Sequence, residues 1–169
     1  MNDKFINKNL LKKYGFKKLG SNIKISQNAT IIGEKNIEIG NNVRIDDYTI
    51  ISAKEGRLKI GSNVHIGGQC YLGCAGGINI NNNINISQGV KIYSKIDDYL
   101  NFTKFNKTIK GHVKVMSNVI IGSGSIILGK CTINQGTTIG ALSFVKKDLR
   151  SWSVYAGNPL KFIKKRNKK

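Results

Sequence analysis

Prolines, aromatic residues and cysteines are scarce in this sequence, and each scarcity narrows the fold. A single proline excludes a proline-rich linker between domains. Aromatic residues make up only 8% of the chain, so the core has to come from the aliphatic members of the 40% hydrophobic fraction. Three cysteines, Cys70, Cys74 and Cys131, are an odd number without a paired framework, which favours a reducing compartment.

Long apolar runs are also missing. No stretch of about 18 apolar residues occurs, so the sequence predicts no membrane-spanning helix. The N-terminal segment MNDKFINKNLLKKYGFKK has no apolar run long enough for a signal peptide. We therefore expect one domain, residues 1–169, that stays in the cytoplasm.

Acidic residues are few, and the charge balance is strongly positive. Nine Asp and Glu stand against 28 Lys and Arg, which gives a formal net charge of +19. A field of this size favours anionic partners, and nucleic acid, an acidic membrane surface and a phosphorylated cofactor all qualify. The same charge also fits a lysine- and asparagine-rich background composition, so charge alone does not choose among these partners.

A period of six residues dominates the sequence. Aliphatic residues recur at this spacing in three series: Ile39, Ile45 and Ile51; Ile60, Ile66, Leu72, Ile78, Ile84, Val90 and Ile96; and Ile121, Ile127, Ile133, Ile139 and Val145. The period matches neither the 3.6 of a helix nor the 2 of a flat strand. It predicts an all-β coil with three flat sides, one hexad per side, whose successive turns pair as parallel strands roughly 4.8 Å apart. Because one turn cannot bury its apolar face alone, the stack of turns forms the core.

Two breaks interrupt this repeat, and the chain ends do not follow it. Three residues are inserted around Lys54–Arg57, and the register slips over residues 97–114, which predicts a protruding loop between two parts of a β-helix spanning residues 22–146. Residues 1–20 have helix-like apolar spacing after Asn2 and Asp3 and predict a short helical cap over the first turn. Residues 147–169 form a tail in which Asn158 and Pro159 predict the start of a C-terminal helix.

The repeat and the segments IGSGSIILGKCTINQGTTIGALSFVKKDL and AGNP resemble the hexapeptide-repeat acyltransferase family over roughly residues 22–166. The resemblance is to the branch of maltose and galactoside acetyltransferases, which includes enzymes that acetylate O-antigen and capsule sugars. It implies a left-handed parallel β-helix, a homotrimer, and active sites between neighbouring subunits.

The resemblance also implies where the donor, acetyl-CoA, would bind. Ser123 matches a position that lines the cofactor cleft, and Ala141 matches the alanine whose backbone meets the pantetheine arm. Lys146 and Lys147 match a pair along the cofactor, and Lys164 matches a basic residue near the nucleotide phosphates. Independently of the family, phosphates favour lysines and free N–H groups. A packing role at a repeat corner is the alternative for Ser123 and Ala141.

The catalytic base is where this sequence departs from the family. Many members carry a histidine just before the loop, whereas this chain reads YSKIDDY there and places Asp97 near that position. The chain has two histidines, and we predict His65 as the base, with Asp97 or Asp98 orienting it or contacting the sugar. His112, where the loop rejoins the coil, is the alternative base.

We therefore expect an acetyl-CoA-dependent acetyltransferase that acylates a hydroxyl or amino group of a sugar, nucleotide-linked or in a polysaccharide precursor, in cell-surface glycan biosynthesis. No metal is expected, because two histidines cannot supply the zinc ligands of a carbonic-anhydrase-type β-helix. A non-catalytic β-helix with a basic surface for nucleic acid or other polyanions is the alternative function. No nucleic-acid motif is present, so we expect no nucleic-acid partner, while the charge allows peripheral contact with an anionic membrane.

Overall fold

The computed structural model describes residues 4–98 and 107–168, whose strands, β1 to β22 along the chain, are mostly two or three residues long. The first sheet contains, in spatial order, β1 (Lys18–Leu19), β4 (Ile37–Ile39), β7 (Leu58–Ile60), β10 (Ile78–Ile80), β15 (Val113–Val115) and β18 (Cys131–Ile133). The second contains β2 (Ile23–Ile25), β5 (Val43–Ile45), β8 (Val64–Ile66), β11 (Ile84–Ile86), β16 (Ile120–Ile121), β19 (Thr138–Ile139), β21 (Ser153–Ala156) and β22 (Lys161–Lys165). The third contains β3 (Thr30–Ile32), β6 (Ile50–Ser52), β9 (Tyr71–Gly73), β12 (Lys91–Tyr93), β17 (Ile126–Leu128) and β20 (Phe144–Val145).

These three sheets are the sides of a left-handed parallel β-helix of about six turns, as the hexad period predicts. Most three-residue strands of the first and second sheets bury their first and third residues, as Ile37 and Ile39 do. Most three-residue strands of the third sheet bury only the central residue, for example Ile51 or Leu72. The core is therefore a column of aliphatic side chains. The regular coil begins at Lys18, a few residues before the expected residue 22.

An asparagine ladder builds the corner that leads into the second sheet. Asn22, Asn42, Asn63, Asn83 and Asn118 each have a positive φ, between 53° and 64°. Asparagine adopts this conformation more readily than most residues. The side-chain NH₂ of each of the first four donates to the side-chain oxygen of the asparagine on the next turn, at 3.0 to 3.2 Å. The ladder thus joins successive turns through side chains in addition to the backbone.

The break before Val113 is an antiparallel hairpin at the corner between the third and first sheets. Its strands are β13 (Lys95–Asp97) and β14 (Thr108–Lys110). The expected loop of residues 97–114 therefore begins two residues too late, because the hairpin starts at Lys95. It also ends too late, because Val113 already belongs to a strand of the coil wall. Ile96 belongs to the hairpin and not to the buried column that the period of six assigned to it.

The N-terminal cap is a helix, α1 (Lys8–Lys13), that is shorter than the expected segment. Its N-cap is Asn7, whose side-chain oxygen accepts a hydrogen bond from the Asn9 N–H at 2.8 Å. The expected caps, Asn2 and Asp3, lie outside the described residues. Leu11 is buried against the first turn, whereas Leu10 faces solvent. A 3₁₀ helix spans Glu34–Asn36. Within the described ranges, no helix is both long and apolar enough to cross a bilayer.

The expected C-terminal helix is wrong. The segment after Pro159 forms β22, which runs antiparallel to β21 and extends the second sheet. The exposed edge of that sheet offers unpaired backbone groups, and a strand satisfies them while a helix would not. Phe162 packs its ring on Tyr155, with centroids 5.7 Å apart. Arg166 then fixes the end, because its guanidinium donates to the carbonyl of Asn118 at 2.8 Å.

Candidate active site

His65 lies on the outer face of the second sheet, in a row of polar residues. Register between the parallel strands aligns Arg44, His65 and Asn85 on successive turns. Asp46 lies just beyond β5, and its Oδ2 is 2.8 Å from His65 Nε2. The other ring nitrogen, Nδ1, is 3.0 Å from the Asn85 side-chain oxygen. His65 is therefore held from both sides, with 43% of its side chain exposed.

The carboxylate of Asp46 is the charged anchor of this cluster. Arg44 Nε donates to Asp46 Oδ1 at 2.6 Å, while the second oxygen faces His65. Partial burial works to raise the pKa of Asp46, but the hydrogen bonds from His65 and Arg44 outweigh it, and the pKa lies below its ordinary value. Asp46 is thus an anion at neutral pH and can accept the Nε2–H of the imidazole.

This arrangement fixes the chemistry that His65 can perform. With Nε2–H donated to Asp46, the lone pair of a neutral imidazole lies on Nδ1. A 180° rotation of the Asn85 side-chain amide exchanges its oxygen and its NH₂ group. The NH₂ group then donates to the lone pair on His65 Nδ1. A substrate N–H or O–H has to displace the Asn85 amide before Nδ1 can accept its proton. Asp46 and Asn85 were not identified from the sequence. The length of one turn of the coil could have indicated them. Arg44 is 21 positions before His65 and therefore lies beside it on the preceding turn, and Asp46 follows Arg44 by two.

Asp97 and Asp98 lie elsewhere, on the hairpin. Asp97 pairs with Thr108, and Asp98 Oδ2 is 3.3 Å from Lys107 Nζ. Within one chain neither carboxylate orients His65, because the hairpin leaves the corner between the third and first sheets while His65 is on the second sheet. The expectation that one of them orients His65 is corrected, since Asp46 takes that place.

The base of the hairpin is tied to the three-residue insertion in the preceding turn. Glu55 lies in that insertion, and its Oε2 is 3.3 Å from Lys95 Nζ and 3.4 Å from Lys110 Nζ. Hydrogen bonds from these two lysines hold the pKa of Glu55 below its ordinary value. The two irregularities of the repeat therefore support each other at one corner.

A cleft with two tyrosines adjoins the hairpin. The rings of Tyr71 and Tyr93 stand side by side on the third sheet, with centroids 5.2 Å apart. The cleft has a volume of ≈ 250 Å³, and its lining includes Lys54, Glu55 and Lys95. It offers aromatic surface next to two lysines, which suits a ring that carries an anionic group.

Four of the five residues predicted to contact the cofactor lie along the last turns of the coil. Ser123 and Ala141 are at successive corners, where the Ser123 carbonyl accepts the Leu142 N–H at 2.9 Å. Gly122 allows this close stacking, since a Cβ there would lie 2.4 Å from the Ala141 nitrogen. Lys146 and Lys147 follow at the next corner, both exposed. Lys164 is apart from them, on β22 opposite Val154.

His112 and the cysteines have distinct environments. Partial burial, together with the nearby Lys114 ammonium, lowers the pKa of His112, so this exposed imidazole is neutral at pH 7. All three cysteines are free and buried. Burial raises the pKa of Cys70 to about 11 and those of Cys74 and Cys131 to about 12, so these thiols are not nucleophiles. Among the described residues, no group of three or more His, Cys, Asp or Glu could hold a metal ion.

Comparison with known proteins gives several whole-chain matches, although no family model matches the chain. A dTDP-4-amino-4,6-dideoxy-D-glucose acyltransferase from Escherichia coli is 41% identical over 167 residues, covering 94% of this chain and 87% of the relative. AntD, an N-acyltransferase from Bacillus cereus, was solved in complex with dTDP and 3-hydroxybutyryl-CoA. It matches with a TM-score of 0.90 and 37% identity, covering 98% of this chain and 91% of that one. A maltose O-acetyltransferase from Clostridium difficile matches with a TM-score of 0.72 and 25% identity, covering 99% and 79%.

These similarities cover 94% to 99% of this chain and 79% to 91% of the enzymes. They decide against the non-catalytic β-helix as the function. They also agree with the resemblance that the hexads and the last turns indicate. The chain belongs to the hexapeptide-repeat acyltransferase family and is an acyltransferase.

Proposed function

We propose that this enzyme transfers the acyl group of acetyl-CoA, or of another acyl-CoA, to the amino group of a dTDP-linked 4-amino-4,6-dideoxy sugar. The product would serve the synthesis of a cell-surface glycan. The observation that carries the proposal is the 41% identity, over 94% of the chain, to an acyltransferase named for that acceptor. AntD supports it, because its structure with dTDP and an acyl-CoA has the same fold at a TM-score of 0.90.

The last turns of the coil are the proposed donor site. Ser123 and Ala141 offer backbone groups at adjacent corners, and Phe144 continues the path on the third sheet towards Lys146 and Lys147. An extended pantetheine arm can follow such a wall, since a strand rises about 3.3 Å per residue and presents regularly spaced N–H and C=O groups. The lysines would then attract the phosphates of CoA.

The hairpin and the neighbouring cleft are the proposed acceptor site. Asp97 is exposed, and its carboxylate can accept an N–H from a sugar amine. The tyrosine pair offers a surface for a planar base or a sugar face, and Lys95 lies at the same cleft for a diphosphate. An amine is thereby favoured over a hydroxyl, because two neighbouring carboxylates attract a group rich in N–H donors.

The reaction balances without a redox cofactor. The neutral amine attacks the thioester carbon, a C–N bond forms, and the C–S bond breaks as CoA leaves. The proton lost by nitrogen passes to Nδ1 of His65, once the substrate has displaced Asn85, and finally to the CoA sulfur. Asp97 and Asp98 hold the amine in place for the attack.

A homotrimer is part of the proposal, because His65 and Asp97 are on different sides of a single chain. The outer face of the third sheet is unusually apolar: Ile32 is 42% exposed and Ile50 is 40% exposed, and Tyr71, Tyr93 and Phe144 share that face. Apolar surface of this kind marks an interface between chains. A cyclic trimer repeats one contact between unlike faces, so the hairpin of one subunit can approach the second sheet of the next. We also propose a cytoplasmic location, where CoA esters and nucleotide sugars are available.

The test measures CoA release with purified enzyme, acetyl-CoA and dTDP-4-amino-4,6-dideoxyglucose, using a thiol-reactive dye. The enzyme's own three thiols are buried and should not contribute. The matched control acceptor is the dTDP-sugar with a hydroxyl in place of the amine. We expect turnover with the amine and at least a hundredfold lower kcat/KM with the hydroxyl. Equal rates with both, or turnover with neither, would contradict the proposed acceptor.

A further inference from the structure

The N-terminal end of the β-helix is a strongly cationic surface. Between Asp3 and Glu34 the sequence contains no acidic residue but seven lysines, at positions 4, 8, 12, 13, 17, 18 and 24. All seven are exposed. Among the residues that the structure describes, Lys17 is the one member of this set in an ion pair, with Glu38 at 2.7 Å. This segment therefore presents a large positive charge that no acidic residue of its own offsets.

The same surface also exposes apolar groups that a purely electrostatic patch would not need. Leu10 is 50% exposed on the outer side of α1, and Tyr14, at the end of that helix, is 36% exposed. The Tyr14 ring stacks on Phe16, with centroids 6.0 Å apart, which leaves the outer face of Tyr14 towards solvent. Leucine and tyrosine beside lysines are the composition of a surface that lies at a bilayer interface.

A cavity opens between α1 and the first turn of the coil. Its volume is ≈ 430 Å³, and aliphatic and aromatic side chains form its floor, while Lys8, Lys12 and Lys24 stand at its rim. The floor consists of Leu11, Phe16, Leu19 and Ile23. No acidic side chain lines the cavity. An apolar floor under a cationic rim complements a molecule with an anionic head and an apolar body.

We propose that this end of the protein binds the surface of an anionic phospholipid bilayer. The lysines would meet the headgroups, Leu10 and Tyr14 would enter the interfacial layer, and the cavity beside α1 would accept part of one lipid. Nucleic acid fits less well, because an aliphatic cavity offers neither hydrogen bonds to phosphates nor an aromatic face for bases. The Phe16 ring is already stacked on Tyr14. The donor residues lie on the last turns, at the opposite end of the coil, and Lys8 and Lys12 on α1 stand outside the row of Lys24, Arg44 and His65 on the second sheet.

The experiment is sedimentation of the full-length protein with sucrose-loaded vesicles in 0.1 M salt, comparing phosphatidylcholine alone with a mixture containing phosphatidylglycerol. Each lysine near such a surface contributes on the order of fivefold to binding. We expect the double variant Lys8→Glu/Lys12→Glu to bind the anionic vesicles at least tenfold more weakly. The matched control, Lys59→Glu/Lys114→Glu, changes the net charge equally on the first sheet and should lose less than about threefold. Melting temperatures verify that both variants fold.

Two further measurements separate the membrane from other partners. Leu10→Ser should weaken vesicle binding a few-fold without altering the net charge, which a purely ionic contact would not show. The acyltransferase activity of Lys8→Glu/Lys12→Glu and of Leu10→Ser in solution should equal that of the wild type, so this test stands apart from the proposed reaction. Equal losses in the two double variants, equal binding to neutral vesicles, or tighter binding of duplex DNA that depends on Lys8 and Lys12 would each overturn the inference.

Discussion

Asp46 Oδ2 lies 2.8 Å from His65 Nε2, and the two residues belong to neighbouring turns of the coil. The stacking of parallel strands in register holds them together, so neither a loop nor a helix has to position this pair. A carboxylate bound to one ring nitrogen selects the tautomer with the lone pair on the other. In this enzyme the other nitrogen, Nδ1, contacts the Asn85 side-chain amide, which occupies it in the free protein.

The first prediction concerns the base. His65→Ala should lower kcat by about 10²–10⁴ with little change in the affinity for CoA, because positioned general-base help has that value. His112→Ala should cost less and act mainly on the KM of the acceptor, and Asp97→Asn should fall between the two. Steady-state kinetics on the three variants measures this. Near-normal kcat for His65→Ala together with inactivity of His112→Ala would reverse the assignment.

Asp46 and Asn85 give a matched pair of controls for that prediction. Asp46→Asn keeps the shape but removes the negative charge, and with the amide oxygen kept on Arg44 it turns an NH₂ donor towards His65 Nε2, so kcat should fall by about tenfold or more. Asn85→Ala should leave kcat unchanged or raise it, since it frees Nδ1. A large loss of kcat in Asn85→Ala would mean that the amide itself contacts the substrate.

The second prediction concerns a site shared between subunits. Ile50→Lys, on the apolar third sheet, should dissociate the proposed trimer in sedimentation experiments, while Leu10→Lys, at a somewhat more exposed position on α1, should not. Mixed trimers formed from His65→Ala and Asp97→Asn chains should recover about one quarter of wild-type activity. Each intact residue is present in half of the chains. A shared site takes His65 from one chain and Asp97 from its neighbour, so both are intact in about one quarter of the sites. No recovery on mixing would place both residues in a site made by one chain.

The third prediction concerns donor binding. Charge reversal at Lys146 or Lys147 should weaken CoA binding in calorimetry, and added salt should weaken it further, since screening acts over about 8–10 Å at ordinary ionic strength. Lys164 is on a different strand, so its reversal should add independently to the effect of Lys146. Lys59→Glu, on the first sheet, is the control and should leave CoA affinity unchanged. Absence of CoA binding at low salt would remove the basis of the proposed reaction.

The fourth prediction concerns the asparagine ladder. Asn63 has φ 57°, donates to Asn83 and accepts from Asn42. Asn63→Ala should lower the free energy of unfolding by about 2 kcal/mol, because it loses both hydrogen bonds and strains the left-handed backbone. Asn63→Gly tolerates that backbone and should lose only about 1 kcal/mol. Equal losses in the two variants, measured by denaturant titration, would mean that backbone strain has no part.

The fold could be predicted from the sequence because an aliphatic residue recurs every six positions, as from Ile60 to Ile84. This period fits neither a helix nor a flat strand but fits a three-sided coil. The C-terminal helix could not be excluded in the same way. Asn158 and Pro159 are typical helix-start residues, and only the unpaired edge of β21 decides that the following segment pairs as a strand. His65 could be predicted as the base because the chain has only two histidines. Its partner Asp46 could not, since their contact depends on the length of one turn, which the insertion near Glu55 obscures.

The most direct test of the account is identification of the product formed from equimolar acetyl-CoA and dTDP-4-amino-4,6-dideoxyglucose by the purified wild-type enzyme. Mass spectrometry should show the sugar nucleotide heavier by one acetyl group. Proton–nitrogen correlation on an acceptor labelled with nitrogen-15 should show an amide in place of the amine, with CoA released in equal amount. An acetyl ester on a hydroxyl, or an unchanged sugar nucleotide beside intact acetyl-CoA, would contradict the proposal that this chain is an amino-sugar N-acyltransferase.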